Sequence, residues 1–193
     1  MKYNPDIHKR RSIRLKGYDY SQSGAYFVTI CVQDRTCLFG RVVDDVFQPS
    51  DAGIMVKIIW KEISQHYTGI ELGSFIVMPN HVHAIIIITT DIVGATPCGC
   101  PDPGQPQNTG QPQGVAPTGK TLSLSDVVHR YKTMTTKRYI DGVKNHGWTP
   151  FRGKLWQRNY YEHIIHNDAE YKRITDYIES NPKTWKDDKV WTE

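Results

Sequence analysis

The chain has 193 residues, 38% of them hydrophobic and 23% charged, and its 24 Lys and Arg against 20 Asp and Glu give a net charge of +4. That length holds one ordinary domain with some chain to spare, and it is too short for two full ones. Its apolar runs have the length of β-strands, far below the roughly 20 residues a membrane-spanning helix needs, and the N-terminus carries charge where a secretory signal carries an apolar stretch. A cytoplasmic protein without a membrane partner is expected. Cys31, Cys37, Cys98 and Cys100 form no CxxC pair, so neither a zinc knuckle nor a dithiol site is indicated.

The first 16 residues hold six basic side chains, Lys2, Lys9, Arg10, Arg11, Arg14 and Lys16, against one acid, Asp6. This arm, residues 1–24, suits phosphate contacts and equally suits a solvated tail. Residues 25–33 (AYFVTICVQ) are β-branched and aromatic and predict a buried strand. Residues 38–48 read as a hairpin divided by Asp44-Asp45. Ser50 is a candidate cap for an amphipathic helix to about His66, with Ile54, Ile58, Ile59 and Ile63 at helical spacing. Residues 71–78 and 82–89 then predict two strands joined at Pro79-Asn80.

The composition changes at Asp91. From 91 to 119, 12 of 29 residues are Pro or Gly and GQPQ occurs twice, which predicts a flexible insertion. Ser123 or Ser125 could cap a helix to about Tyr139, with Leu124, Val127, Val128 and Tyr131 inward and Arg130, Lys132, Lys137 and Arg138 making a basic outer face. Residues 155–161 (LWQRNYY) predict a last strand, and 169–182 a helix ending at Asn181-Pro182. One domain, 25–185, interrupted by the insertion and followed by a tail at 186–193, accounts for the chain. The order β-β-α-β-β-α-β-α predicts an α+β fold, a ferredoxin-like antiparallel sheet with helices on one face.

The sharpest chemical feature is PNHVH at 79–83. In a strand, His81 and His83 project to the same side, where two imidazoles can ligate one divalent ion or can simply be edge-strand histidines. On the last helix, Tyr177 and Asn181 are four apart and share a face. Together with the histidines they could supply a phenol nucleophile and an amide ligand, an arrangement suited to phosphoryl transfer; alternatively Tyr177 is a core aromatic and Asn181 a helix end. Before that helix, Arg158 could contact a phosphate and Trp156 could stack on a base, or both could serve a strand end. Glu162 and His163 stay open between substrate contact and structural pairing.

The segments RRSIRLKGYDY (10–20), YFVTICVQDR (26–35), FIVMPNHVHAIII (75–87) and LWQRNYYEHIIHNDAEYKRITDYIESNPKTW (155–185) resemble the REP-associated tyrosine transposases, a branch of the single-tyrosine HUH transposases. The resemblance implies a ferredoxin-like fold, His81 and His83 as metal ligands, Tyr177 as nucleophile and Asn181 completing the metal site. It implies single-stranded or hairpin DNA as partner, Mg²⁺ or Mn²⁺ as cofactor, and a monomer or homodimer, with cleavage and rejoining through a 5′-phosphotyrosine. Tyr160 and Tyr161 are rival nucleophiles, but neither has a ligand-capable residue four places on. Two other functions share these residues: a non-catalytic single-strand-binding module, and a metal-dependent nuclease that uses water.

Overall fold

The computed structural model describes residue 15, residues 17–89 and residues 122–187. Arg10, Arg11 and Arg14, the insertion at 91–119 and residues 188–193 of the tail lie outside the described residues.

Strand β1 (Gly24–Cys31) is followed by a 3-10 turn, the hairpin β2 (Gly40–Val43) and β3 (Val46–Pro49), helix α1 (Asp51–His66), strands β4 (Ile70–Met78) and β5 (His81–Ile88), helix α2 (Leu124–His146), strand β6 (Tyr161–Ile165) and helix α3 (Asp168–Ser180). The main sheet has the order β4-β5-β1-β6, with every pairing antiparallel. With α1 between β1 and β4 and α2 between β5 and β6, this is the ferredoxin-like βαββαβ arrangement with a hairpin inserted after its first strand. Asp44 and Asp45, at φ 49° and 60°, make the left-handed two-residue turn that such a hairpin favours.

Alternation along the strands divides the core in two. Tyr26, Val28 and Ile30 of β1 and Val82, Ala84, Ile86 and Ile88 of β5 face α1 and α2, where they meet Val56, Ile59, Ile63, Leu124, Val127 and Tyr131. Phe27, Ile85 and Ile165 point the other way and are covered by Ile174 and Ile178 of α3. The expectation of helices on one face therefore holds for α1 and α2, whereas α3 lies on the opposite face, drawn there by an apolar patch that would otherwise meet water.

Three further expectations are corrected. On α1, Ile59 and Ile63 are buried together with Val56 and Trp60, but Ile54 and Ile58 are about half exposed and line a groove of about 430 Å³ with Phe47 and Phe75. Helix α2 runs past Tyr139 to His146 and ends at Gly147, whose φ of 68° is the left-handed cap conformation. Gly142 lets Trp148 fold back against the end of the helix, because a Cβ there would clash with the Trp148 ring. The basic outer face of α2 holds as expected, none of Arg130, Lys132, Lys137 and Arg138 being buried, and Arg138 forms a bidentate pair with Glu62 while Arg130 lies 4.3 Å over the Tyr67 ring. Finally, residues 155–160 are not in a strand, and β6 begins only at Tyr161. Trp156 forms a single bridge to Val32, and Lys132 Nζ donates to the carbonyls of Gln157, Arg158 and Asn159 at 2.8, 3.2 and 3.2 Å, so a lysine takes the acceptors a ladder would use.

Candidate active site

The two histidines stand at the start of β5, between β1 and β4. Cross-strand register sets Thr29 opposite His83 and Cys31 opposite His81, and β6 adds Tyr161 opposite Thr29. Directly opposed residues share a face of the sheet, so His83, Thr29 and Tyr161 form a row on the α3 side. Both imidazoles are buried, His81 at 0% and His83 at 2% exposure.

Their outer nitrogens are held by neighbours. Thr29 Oγ1 lies 2.8 Å from His83 Nδ1, and Asn80 Oδ1 lies 2.9 Å from His81 Nδ1. Their inner nitrogens converge, with His81 Nε2 and His83 Nε2 3.0 Å apart. Two ligand nitrogens at about 2.1 Å from one cation and at right angles stand about 3.0 Å apart, so the separation suits chelation. Two bare lone pairs at this distance would repel each other; a proton or a cation between them removes the conflict. The donor set therefore fits a divalent ion held by two imidazoles. Among the described residues no cluster of three or more His, Cys, Asp and Glu side chains is placed to hold a metal, so further ligands would be amide, phenol, water or substrate oxygens.

Helix α3 brings the remaining residues. Asn167 caps it, its Oδ1 accepting from the Glu170 amide at 2.9 Å, and Asp168 and Glu170 place negative charge in the first turn, where the helix dipole favours it. Glu170 also accepts from the His166 amide at 2.9 Å and pairs with His163 Nε2 at 2.8 Å, which together hold its carboxyl below the usual range. Gly73 of β4 lets α3 approach closely, since a Cβ there would meet the Tyr171 hydroxyl at 2.8 Å. So seated, α3 sets the Tyr177 hydroxyl 3.4 Å from His83 Nε2 while leaving the residue 42% exposed. Phe27 supports both rings, stacked on His83 at 5.4 Å and edge-on to Tyr177 at 6.1 Å. One turn beyond Tyr177, Asn181 is fully buried at the end of α3, and another turn on Trp185 stacks on His81 at 5.8 Å.

The structure thus brings Tyr177, His81 and His83 together and buries Asn181 one turn from that tyrosine. Trp156 is corrected: it is 4% exposed, packs on Phe39 and Tyr131 and donates Nε1–H to Thr135 Oγ1 at 2.8 Å, so its ring has no face for a base. Arg158 is exposed on the loop whose carbonyls Lys132 gathers. His163 resolves as the structural partner of Glu170, and the half-buried Glu162 lies opposite Val28 on the α1/α2 side of the sheet, away from Tyr177. Of the rival tyrosines, Tyr160 lies beneath Lys132, with its ring centre 5.5 Å from Nζ. Tyr161 is 54% exposed and touches Phe27 edge-on at 6.2 Å, so it is a near neighbour of the site.

Sequence reasoning missed Thr29, Asn80, Phe27 and Trp185. Asn80 read as a turn residue after Pro79, and Thr29 as one more β-branched strand residue. Only the pairing register, for Thr29, and the turn that carries Asn80 against the Arg35 carbonyl reveal that each faces an imidazole.

No protein-family model matches the chain. It is 36% identical over 195 aligned positions to a Haemophilus influenzae protein described as uncharacterized, an alignment covering 100% of this chain and 98% of that one. A second H. influenzae protein, named provisionally as a REP-associated tyrosine transposase, is 23% identical over 164 residues, 85% of this chain and 73% of the other. The structure of a REP-associated tyrosine transposase bound to a REP hairpin superposes with a TM-score of 0.52 and 17% identity, over 91% of this chain and 74% of that one. The chain belongs to one family with the first Haemophilus protein, and in sequence and in fold it resembles the REP-associated tyrosine transposases.

Proposed function

We propose that this protein is a divalent-cation-dependent DNA transposase that cleaves and rejoins single-stranded or hairpin DNA through Tyr177. The observation that carries the reading is the Tyr177 hydroxyl at 3.4 Å from His83 Nε2, beside the converging His81 Nε2. His81 and His83 would hold Mg²⁺ or Mn²⁺, with Asn181 as the candidate third ligand from α3. A cation there supplies neutralisation of charge on a non-bridging oxygen of the scissile phosphodiester.

The rest of the chemistry belongs to the chain. A free tyrosine titrates near 10, so the phenol is a weak nucleophile whose effectiveness depends on being fixed in line with its target. Phe27 packs edge-on against its ring, while the residue as a whole stays 42% exposed, which leaves room for a large substrate to reach it. As the bond from phenol oxygen to phosphorus forms, the bond from phosphorus to the 3′ oxygen breaks. The phenolic proton passes to water, and the departing 3′ oxygen takes a proton from water to leave as a hydroxyl. The phosphotyrosine retains the energy of the broken ester, so a 3′-hydroxyl from another strand can reverse the step and join without ATP. The exposed Arg158 is proposed to contact a phosphate, and the N-terminal Arg10, Arg11 and Arg14 to add affinity that falls with salt.

The test uses a labelled single-stranded hairpin and Mn²⁺ on a denaturing gel. Wild type forms a covalent adduct, and Tyr177→Phe binds DNA but forms none. Cleavage retained by Tyr177→Phe without an adduct assigns a water-using nuclease; binding without cleavage by wild type assigns a binding module.

A further inference from the structure

We infer that Asn80 is a positioning residue: its carboxamide holds His81 as the tautomer protonated on Nδ1, so that Nε2 faces His83 as a bare ligand atom. The cation-binding consequence of this inference rests on the proposed function, whereas the tautomer itself does not.

Asn80 is fully buried, and its amide is oriented by two contacts that cannot be exchanged. One end lies 3.1 Å from the Arg35 carbonyl, an acceptor, so that end is the Nδ2 donor. The other end is then Oδ1, 2.9 Å from His81 Nδ1. An amide oxygen only accepts, so Nδ1 carries the proton, and in a neutral imidazole Nε2 is left bare. The anchor is itself fixed. Asp34 and Arg35 occupy left-handed backbone conformations, φ 57° and 55°, which turn the Arg35 carbonyl toward Asn80. The Val32 amide donates to the Asn80 carbonyl at 2.8 Å and the Phe39 amide to the Pro79 carbonyl at 3.0 Å, pinning the backbone on both sides.

His83 is held differently. Its Nδ1 meets the Thr29 hydroxyl, which both donates and accepts, so Thr29 sets the ring plane without choosing a tautomer. Control of the pair is therefore unequal: His81 is fixed in the ligand form and His83 can adopt it when a cation arrives. Hydrogen-bonded partners of this kind orient ligating histidines, and their loss costs about ten- to a hundredfold in metal affinity.

Long-range ¹H–¹⁵N imidazole spectra of the full chain without metal, in mildly alkaline buffer, test this directly. The inference expects His81 of wild type protonated on Nδ1. Asn80→Leu should give mixed tautomers at His81 and weaken Mn²⁺ binding about tenfold or more, and Thr29→Val should leave the His81 tautomer unchanged. Asn80→Asp keeps an acceptor facing Nδ1 but loses the donor to the Arg35 carbonyl, so it should keep Nδ1 of His81 protonated while recovering only part of the affinity. A wild-type His81 protonated on Nε2, or an Asn80→Leu variant with an unchanged tautomer, overturns the inference. Wild-type spectra with the expected tautomer but no Mn²⁺ broadening at His81 and His83 support Asn80's role and overturn the cation-binding reading instead.

Discussion

The two faces of the sheet divide stability from chemistry. Under α1 and α2, Tyr26, Ile59, Ile63, Ile86, Leu124 and Tyr131 are completely buried in a continuous core. Under α3 the apolar cluster is five residues, Phe27, Ile85, Ile165, Ile174 and Ile178, and next to it stand two buried histidines and a half-exposed tyrosine. The lesson is one of tolerance. A thick core can fix the backbone of β5 to the tolerance a two-histidine site needs, and a thin one leaves an open edge through which a polymer can reach it.

Substitutions should separate the two faces. The largest activity loss with the smallest structural cost is expected for His81→Ala with His83→Ala. Strand cleavage in Mn²⁺ should fall beyond detection while circular dichroism and most DNA affinity persist; cleavage equal to wild type would remove the site from the α3 face. The converse is Ile59→Ala, deep under α1, which should cost about 2–5 kcal/mol in chemical denaturation and leave cleavage intact at temperatures where the variant is folded. A third comparison sets Trp156 against Arg158. Trp156→Phe removes the bond to Thr135 and should cost about 1 kcal/mol with DNA affinity unchanged. Arg158→Ala should leave stability alone, weaken DNA binding several-fold and lower its salt slope by about one.

The smallest effect concerns the start of α3. The carboxyl of Glu170 is lowered from an ordinary 4.5 by the His166 amide and by His163. Its contribution is complete above that ordinary value and is lost as pH falls through the lowered folded value. Hydrogen exchange of α3 amides should quicken in that acid range before amides of α1 do, and Glu170→Gln should flatten the dependence.

Much of this organisation was legible because it rests on local patterns. The β-branched and aromatic run marked β1, the Pro79-Asn80 turn marked the junction of β4 and β5, Ser50 and either Ser123 or Ser125 marked helix starts, and the PNHVH run marked the histidines. What failed depended on partners distant in sequence. LWQRNYY has strand composition, but Lys132, 25 residues before Gln157, takes its carbonyls, and β6 begins only at Tyr161. Trp156 is as aromatic as a stacking residue and became core because Phe39, Tyr131 and Thr135 surround it. Ile54 and Ile58 have the right spacing on the wrong side of a helix whose buried face centres on Val56, Ile59 and Ile63. Thr29 and Asn80 were invisible as site residues because register and the Arg35 turn, neither encoded in a short window, decide what they face.

In the proposed mechanism one divalent ion sits between His81 and His83 within reach of the Tyr177 phenol. Anomalous diffraction from crystals soaked in Mn²⁺ tests it most directly. The account expects a single manganese peak about 2.1–2.2 Å from both Nε2 atoms, with the Tyr177 hydroxyl beside it. Manganese bound elsewhere, or none at the pair at a concentration that supports strand cleavage, would contradict it.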